Sequence, residues 1–298
     1  MKNTAFTIIS FIYVNVLNAQ QILVFDQDLK KPISFVNVFY KFENKISDSD
    51  YCDQSGFVNI SALKTFDVIE FSCIGYESKI YQKKDISDTV FLQKKSIVLD
   101  EIKIISRKNQ STTLIGYSQL KRKTTLSAYK GFEICQFLEN TFNKPKAIQS
   151  FVFTIIKREN LKTAVRIHLY AKHKNKFEPG QELITEDIIR YFDGKTREKV
   201  EINLTPYNLE LPIEGAFIGI EWLGIIDENT GKFVSGKNFH TDTRIALNDD
   251  LPQHLTFMSK SIKEHSWENM SEFENDMKKN HRIKNHVNTS FGLKVFDE

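Results

Sequence analysis

The stretch that most constrains the fold is an almost unbroken apolar segment in the second half of the chain. Residues 216–226 read AFIGIEWLGII, with Glu221 as the one charged side chain. The segment is too short to cross a bilayer as a helix. Pro212 and Gly215 mark a turn just before it. Such a run is typical of a strand buried on both faces, so we expect it to anchor a β-sandwich core.

Composition supports a soluble, strand-rich protein. The chain has 298 residues, which is enough for two ordinary domains, and 41% of them are hydrophobic and 27% charged. It contains 24 Phe and 10 Tyr but only 12 Gly and 6 Pro, and aromatic richness favours strands. The net charge of +3 is too small to indicate a nucleic-acid partner. We therefore expect an all-β fold and no nucleic-acid binding.

The first twenty residues, MKNTAFTIISFIYVNVLNAQ, are typical of a signal peptide. Lys2 gives a positive start, residues 5–17 are apolar, and residues 18–20 form a polar end. The predicted cut falls after Ala19 or Gln20; the alternative is a buried first strand. No later segment is long enough for a transmembrane helix. These features predict export to the periplasm, to the outer membrane as an associated protein, or to the medium.

Short strand-like runs separated by turn residues follow in residues 21–106. The turn Asp53-Gln54-Ser55-Gly56 is a strong one. The predicted strands are residues 22–25, 35–42, 57–60, 68–74, 89–92 and 98–105. About seven short strands at this spacing predict a small β-sandwich.

Several short sequence segments of this region resemble a known protein family. They are Pro32-Ile33, Val36-Asn37-Val38, Asp53, Gly56 and the run IEFSCIGY at residues 69–76. Together they resemble the carboxypeptidase regulatory-like domain, which is a transthyretin-like sandwich. Residues 98–104 resemble the segment that follows this module in outer-membrane TonB-dependent receptors of Gram-negative bacteria. The resemblance implies a seven-stranded sandwich in the cell envelope and transfers no catalytic residue.

Residues 107–113 are polar and predict a linker, and the strand-like runs in residues 114–298 predict a second, larger domain. In residues 165–171, VRIHLYA, alternation places Val165, Ile167 and Leu169 on the core face. Arg166, His168 and Tyr170 then fall on the opposite face, where we expect His168 to be half-exposed. Residues 165–171, 179–189 and 200–224 resemble a poorly characterised β-sandwich domain that follows the regulatory-like module in exported proteins. The resemblance implies a larger jelly-roll-like sandwich over residues 114–298, and it supplies no activity.

Three cysteines and one Gly-Tyr pair have mainly structural interpretations. The chain has three cysteines, Cys52, Cys73 and Cys135. This number is small and odd, so it does not indicate a disulfide framework. Cys52 and Cys73 could pair if their strands are neighbours; the alternative is buried free thiols. Gly75 predicts a turn with positive φ, and Tyr76 predicts an aromatic cap on the core.

A search for catalytic and ligand-binding motifs finds no nucleophile elbow, P-loop, dinucleotide fingerprint or paired-cysteine zinc pattern. His265 and Glu268 have the spacing of a zinc-ligand pair but lack a third ligand. Acidic pairs could bind Ca²⁺, although solvated loops are the favoured interpretation. These pairs are Asp48/Asp50, Glu186/Asp187 and Asp249/Asp250. We therefore predict no catalytic, cofactor-binding or metal-binding residues and no cofactor.

One charged cluster near the C-terminus is a candidate partner surface. Its basic residues are Lys278, Lys279, Arg282 and Lys284. Acidic envelope sugars would suit this charge, and a solvated loop is the alternative. Just before it, Trp267, Met270, Phe273 and Met277 recur at helical spacing and predict a surface helix.

Three functional hypotheses follow. The first is a non-catalytic exported envelope protein that binds a protein or glycan partner. The second is a glycan- or peptide-processing enzyme built on the second sandwich, with Glu221 as the best carboxylate but without an obvious second one. In the absence of catalysis, Glu221 would lie at a sandwich edge or pair with a base such as Arg166. The third is a purely structural adaptor in which the first module only positions the second.

Overall fold

A computed structural model describes residues 20–60, 64–95, 110–117, 124–234, 240–262, 266–271, 274–275 and 286–297. In these ranges the regular structure is almost entirely β-strand, which confirms the predicted all-β fold class. Among the described residues, no helix is long and apolar enough to cross a bilayer. Some sequence predictions lie outside these ranges. They are the signal peptide apart from Gln20, the strand at 98–105, residues 272–273 and 276–280 of the predicted surface helix, and the basic residues Lys278, Lys279, Arg282 and Lys284. The helix prediction is wrong at its start, because Glu268–Asn269 is a short strand that pairs with Phe257 and Met258.

The first sandwich packs a three-stranded sheet against a four-stranded one. Its strands are β1 (Gln20–Asp26), β2 (Asn37–Phe42), β3 (Lys45–Tyr51), β4 (Phe57–Ile60), β5 (Val68–Ser72), β6 (Lys79–Gln82) and β7 (Thr89–Leu92). The strand orders are β4-β1-β7 and β3-β2-β5-β6. Alternate residues such as Val38, Tyr40 and Phe71 fill the core between the two sheets. Seven strands in two sheets match the small sandwich that the sequence predicts.

Two strands of this sandwich have no clear sequence signal. β3, KISDSDY, is polar and lies on the edge of its sheet, and β6 has no buried residue. Edge strands bury less side-chain surface, so the hydrophobic alternation that identifies a strand is weak there. By contrast, the predicted bounds of β4 and β7 are those observed.

The second sandwich is formed by the remaining strands. They are β8 (Thr112–Ile115), β9 (Thr125–Tyr129), β10 (Glu133–Leu138), β11 (Lys146–Lys157), β12 (Lys162–Lys172), β13 (Pro179–Glu182), β14 (Ile188–Phe192), β15 (Thr196–Asn203), β16 (Glu210–Leu211), β17 (Ala216–Ile226), β18 (His240–Leu251), β19 (Thr256–Ser259), β20 (Glu268–Asn269), β21 (His286–Thr289) and β22 (Gly292–Phe296). A seven-stranded sheet has the path β13-β12-β17-β10-β19-β20, and β14 also pairs with β12. An eight-stranded sheet follows β21-β18-β11-β22-β8, with β9, β15 and β16 attached.

The main core lies between these two curled sheets and is organised around β17. Every residue of β17 is buried, as the apolar run predicts. Trp222 lies in this core, and its indole Nε1 donates to the Thr243 carbonyl at 3.2 Å. Val165, Ile167 and Leu169 of β12 also face this core, which confirms their predicted side.

The opposite face of β12 is covered, and here the sequence interpretation is wrong. His168 was expected to be half-exposed, yet it is buried, as is Arg166. The reason is that the first sandwich packs onto this face of the seven-stranded sheet. Phe35 and Tyr51 of the first sandwich belong to the same buried apolar cluster as Leu223 of β17. A face that a strand would present to solvent is therefore an interface between the two sandwiches.

The long strand β18 also has no hydrophobic signature, because polar side chains occupy several of its buried positions. Thr241 Oγ1 donates to the Ala128 carbonyl at 3.0 Å, and Thr243 Oγ1 donates to Thr163 Oγ1 at 2.8 Å. Hydrogen bonding makes such burial tolerable. The run Glu178-Pro179-Gly180 is typical of a turn in sequence, yet β13 begins at Pro179.

The three thiols Cys52, Cys73 and Cys135 are free and buried. The interpretation of buried free thiols is therefore the observed one, rather than the Cys52–Cys73 disulfide. Burial raises the pKa of all three thiols, which keeps them protonated and poorly nucleophilic.

Candidate functional site

Charged side chains gather on the covered face of the seven-stranded sheet. Arg166 of β12 lies opposite Glu221 of β17, which in turn lies opposite Glu133 of β10. His168 follows Arg166 by two positions and therefore projects from the same face. This face is turned away from the main core, because the intervening residue Ile167 belongs to that core. Three neighbouring strands thus bring one guanidinium, one imidazole and two carboxyl groups into a single buried row.

Arg166 links this row to the first sandwich. Its Nη1 donates to Glu221 Oε2 at 2.8 Å and to Asn37 Oδ1 at 3.1 Å. Its Nη2 donates to the Phe35 carbonyl at 2.6 Å and to Asp187 Oδ2 at 3.1 Å, and its Nε donates to Asp187 Oδ1 at 2.7 Å. Every nitrogen of the guanidinium therefore donates a hydrogen bond. Two of these bonds go to the first sandwich, one to the Asn37 side chain and one to the Phe35 carbonyl.

Glu221 receives partners from both modules. Its Oε1 accepts a short hydrogen bond from the Tyr51 hydroxyl of the first sandwich. Its Oε2 lies 3.2 Å from His168 Nε2 as well as beside Arg166. Burial alone would raise the pKa of Glu221, but the Arg166 charge and the hydrogen bonds from His168 and Tyr51 hold it well below its ordinary value. Glu221 is therefore ionised at neutral pH.

His168 carries the second positive charge of the row. Its Nδ1 lies 2.6 Å from Glu182 Oε2, and its ring stacks on Tyr170 with centroids 5.3 Å apart. Burial alone would lower the pKa of His168, but the nearby Glu133 and Glu182 carboxylates raise it well above its ordinary value. We call Arg166, His168, Glu221, Tyr51, Asp187, Glu133 and Glu182 the interface network.

Glu133 is the second carboxyl group that the sequence interpretation did not find. Burial raises the pKa of Glu133 to about 7, with the His168 cation opposing this shift and the Glu221 charge adding to it. The Tyr170 hydroxyl donates to Glu133 Oε1 at 2.8 Å. A carboxyl group with a raised pKa beside an ionised one is a pattern of acid–base sites. Only the strand register reveals this pair, since Glu133 and Glu221 lie far apart in sequence.

Burial separates the carboxyl pair from solvent. Glu133 is 6% exposed and Glu221 is 3% exposed. In two of the clefts formed by described residues, the lining does not include Glu133, His168 or Glu221. A glycosidase needs room for a sugar and for water between its carboxyl groups. The observed arrangement is a satisfied ionic cluster that joins two modules.

The larger of the two clefts lies between the modules, beside the interface network. Its volume is about 470 Å³, and residues of both sandwiches line it. We call it the inter-module cleft. From the first sandwich, Tyr76 lines it and donates its hydroxyl to Asp26 Oδ2 at 2.9 Å. From the second, Asp187 lines it while also binding Arg166. The interface network thus fixes one wall of the cleft.

Gly75 is a point of close approach between the two walls of the inter-module cleft. Its φ is +83°, as the predicted turn requires, and an added Cβ would lie 2.5 Å from the Thr185 carbonyl oxygen. We expect Gly75→Ala to lower the free energy of unfolding by about 2–3 kcal/mol, because it adds a backbone clash to left-handed strain. Gly194→Ala is the matched control. Gly194 has φ +67°, and a Cβ added there would meet no atom within 4 Å outside its chain neighbours.

Urea denaturation of both glycine variants measures the difference. Gly194→Ala should cost about 1 kcal/mol, which is the left-handed strain alone. Equal losses for Gly75→Ala and Gly194→Ala would contradict the close approach of the two modules at this point.

The raised pKa of Glu133 predicts a pH dependence of stability. The unfolded carboxyl has a pKa near 4.5 and the folded one a pKa of about 7, so the folded chain binds the proton more tightly. Between these values stability falls as the pH rises. Glu133→Gln removes the ionisation and keeps an acceptor for Tyr170. Relative to the native chain, the variant should gain on the order of 2 kcal/mol between pH ~4 and pH ~8.

Urea denaturation of the native chain and Glu133→Gln across that pH range gives the comparison. A stability difference that stays constant with pH would show that Glu133 ionises normally in the folded chain.

The acidic pairs that could have bound Ca²⁺ mostly serve as ion-pair partners. Asp50 binds Lys130 at 2.7 Å, and Asp187 binds Arg166. Glu186 lines the inter-module cleft. The side chains of Asp249 and Asp250, and the basic surface at residues 278–284, lie outside the described residues.

One group of side chains in the described ranges has metal-ligand chemistry, and it consists of His254, Glu274 and His286. The sequence interpretation missed it because the three residues are not at a recognised ligand spacing. Separate elements bring them together, namely the turn between β18 and β19, the helical turn that follows Met270, and the start of β21.

The fold and the site together define an all-β protein of two sandwiches joined by a buried ionic network. Among solved structures, the clostridial cysteine protease Cwp84 after propeptide cleavage is similar at 10% identity and a TM-score of 0.38, over 94% of this chain and 71% of that one. The cysteine protease and lectin-like domains of Cwp84, a surface layer associated protein of Clostridium difficile, give 10% identity and a TM-score of 0.34, over 87% of this chain and 50% of that one. Similarity at this level supports no argument about activity. No protein-family model matches the sequence, and no curated protein sequence matches it.

Proposed function

We propose that this chain is an exported, non-catalytic envelope protein that binds a protein or glycan partner in the inter-module cleft. The observation that carries this proposal is the interface network, in which Arg166 binds Glu221 and Asp187 of one module and Phe35 and Asn37 of the other. A cleft whose two walls are held in this way is preorganised, and preorganisation lowers the entropy cost of binding.

Export and envelope location are supported by the sequence. Residues 1–20 have the features of a signal peptide. The resemblance of residues 21–106 to the carboxypeptidase regulatory-like domain is in keeping with an envelope protein. The non-catalytic role is supported by the burial of Glu133 and Glu221 and by the hydrogen bonds that both carboxyl groups accept.

The chemistry of the inter-module cleft suits a polar ligand. Lys31, Lys94 and Lys95 line it together with Glu186 and the aromatic ring of Tyr76. Its volume of about 470 Å³ falls within the range of ordinary ligand sites, and clefts between modules are frequent ligand sites. Charges of both signs beside an aromatic ring would recognise a short polar peptide or a charged sugar.

Filling the cleft tests the proposal. Thr185 is exposed and lines the cleft, so Thr185→Trp adds bulk there without entering a core. Glu198→Trp is the control, because Glu198 is exposed on β15 and does not line the cleft. Immobilised protein is incubated with envelope extract that has been divided into protein and glycan fractions.

The native chain and Glu198→Trp should retain the same component, and Thr185→Trp should retain at least about tenfold less, which corresponds to about 1.4 kcal/mol. Retention of the same component by all three chains would place the binding surface elsewhere. Retention of nothing from either fraction would contradict a binding role.

The glycan- or peptide-processing enzyme stays as the second candidate because one observation favours it. Glu133 and Glu221 are neighbouring carboxyl groups whose pKa values are shifted in opposite directions, that of Glu133 upward and that of Glu221 downward. Hydrolysis of envelope glycan or peptide by the native chain, lost in Glu221→Gln, would replace the binding role with this one.

A further inference from the structure

A second site lies away from the interface network, where two imidazoles face one buried carboxylate. His254 Nδ1 is 3.4 Å from Glu274 Oε2, and His286 Nδ1 is 3.2 Å from the same oxygen. The two imidazole rings are 3.8 Å apart between centroids. The Glu274 side chain is 2% exposed, whereas those of His254 and His286 are 23% and 37% exposed. The carboxylate therefore lies inside and the imidazoles lie toward solvent.

Buried polar contacts hold the backbone of the first histidine in place. Asn288 is fully buried, and its Oδ1 accepts from the Leu255 amide at 2.7 Å while its Nδ2 donates to the Gln253 carbonyl at 3.0 Å. Both chain neighbours of His254 are thus fixed by one side chain. Asn288 is also two residues from His286 on β21. Side chains that share a rigid support keep their mutual geometry, as a ligand site requires.

The carboxylate is positioned by a separate anchor. The Glu274 amide donates to the Met270 carbonyl at 2.9 Å, and Met270 is fully buried in the main core. The Met270 amide in turn donates to the Thr256 carbonyl at 3.3 Å. The segment that carries Glu274 is therefore tied to β19, just after the turn that carries His254.

The distances match a tetrahedral metal site. Zn²⁺ binds imidazole nitrogen and carboxylate oxygen at about 2.0–2.2 Å, so neighbouring ligand atoms of a tetrahedron lie about 3.3–3.5 Å apart. The two nitrogen–oxygen distances in the structure are 3.4 Å and 3.2 Å. All three ligand atoms lie within 4.8 Å of one another. Two imidazoles and one carboxylate are also a ligand set of zinc sites that keep a fourth position for water.

We propose that His254, Glu274 and His286 bind one Zn²⁺ ion. The donors would be Nδ1 of each histidine and the Glu274 carboxylate. Imidazole nitrogen favours zinc and similar transition-metal ions over Ca²⁺ and Mg²⁺, which prefer oxygen ligands. The bound ion connects the turn between β18 and β19, the segment around Glu274 and the start of β21. It stabilises the folded chain by joining three separate elements at one point.

Isothermal titration calorimetry of the untagged, EDTA-treated chain with ZnCl₂ tests the proposal. We expect one Zn²⁺ per chain, no binding heat with CaCl₂, and a higher melting temperature with Zn²⁺. His254→Ala, His286→Ala and Glu274→Gln should each weaken binding by about 100-fold or more, since even residues that only support ligands contribute 10–100-fold. His173→Ala is the control, because His173 lies outside the group and should leave binding unchanged.

Glu274 is buried, so Glu274→Gln could unfold the chain; His286→Ala, at a partly exposed position, keeps the test independent of folding. Co²⁺ titration adds a readout, because tetrahedral coordination gives a visible absorption band that should be absent in His286→Ala. No Zn²⁺ binding by the native chain, equal binding of Ca²⁺, or unchanged binding in folded His254→Ala and His286→Ala would overturn the proposal.

Discussion

Replacing Arg166 with methionine is expected to lower the free energy of unfolding by about 3–5 kcal/mol. The guanidinium is 1% exposed and binds Glu221 and Asp187. Removing it leaves the Glu221 charge buried with the loss of its strongest partner, and it frees the Phe35 carbonyl and the Asn37 amide oxygen. A buried charge that loses its partner is among the largest single-residue costs in proteins. Chemical denaturation of the native and variant chains measures the loss.

A second variant separates the buried charge from the simple loss of packing. Glu221→Gln removes the carboxylate charge but keeps an oxygen that can accept from the Tyr51 hydroxyl. The double variant Arg166→Met/Glu221→Gln should therefore be more stable than the sum of the two single losses predicts, by about 1–3 kcal/mol. Additive losses would mean that Arg166 and Glu221 contribute independently, and that the interface network does not act as a unit.

Replacing Trp222 with alanine is expected to cost about 3–5 kcal/mol, because it opens a large cavity in the centre of the second sandwich. The side chain is fully buried, packs edge-on against Phe132 with centroids 6.0 Å apart, and donates to the Thr243 carbonyl. Thermal or urea unfolding, followed by far-ultraviolet circular dichroism, measures the change.

Trp222→Phe provides the matched comparison at the same position. Phenylalanine keeps most of the buried surface and loses the hydrogen bond to Thr243, so the expected cost is about 1–2 kcal/mol. A cost below about 1 kcal/mol for Trp222→Ala would contradict the placement of β17 at the centre of the core.

The parts of the fold that the sequence predicts best are those where local pattern and tertiary burial agree. β17 is apolar along its whole length and is buried along its whole length. β12 alternates, and Val165, Ile167 and Leu169 face the core as that alternation requires. In both strands the hydrophobic pattern matches the burial of each residue, so the local sequence is enough to predict which side chains face the core.

The strands that the sequence analysis missed break this agreement. β18 buries Thr241, Thr243 and Asn248, whose hydrogen bonds replace hydrophobic contacts. β6 lies at a sheet edge with no buried residue. A polar side chain in a core and a polar side chain in solvent look alike in sequence, because only the partner distinguishes them.

The candidate site could be predicted only in part for the same reason. Alternation correctly grouped Arg166 with His168, and pairing of Glu221 with Arg166 was one of the sequence-based alternatives that the structure bears out. The covering of this face by Tyr51 was not predictable, because 170 positions separate Tyr51 from Glu221. The polar residues of this face are buried because the first sandwich packs on it. The local sequence pattern of β12 contains no information about that packing.

The central claim is that the interface network joins the two sandwiches into one cooperative unit with a fixed cleft between them. Differential scanning calorimetry of the full chain tests this claim most directly. We expect one transition in the native chain, in which the van't Hoff and calorimetric enthalpies agree, and one transition at a lower temperature in Arg166→Met. Two transitions in the native chain, at temperatures that Arg166→Met leaves unchanged, would contradict it.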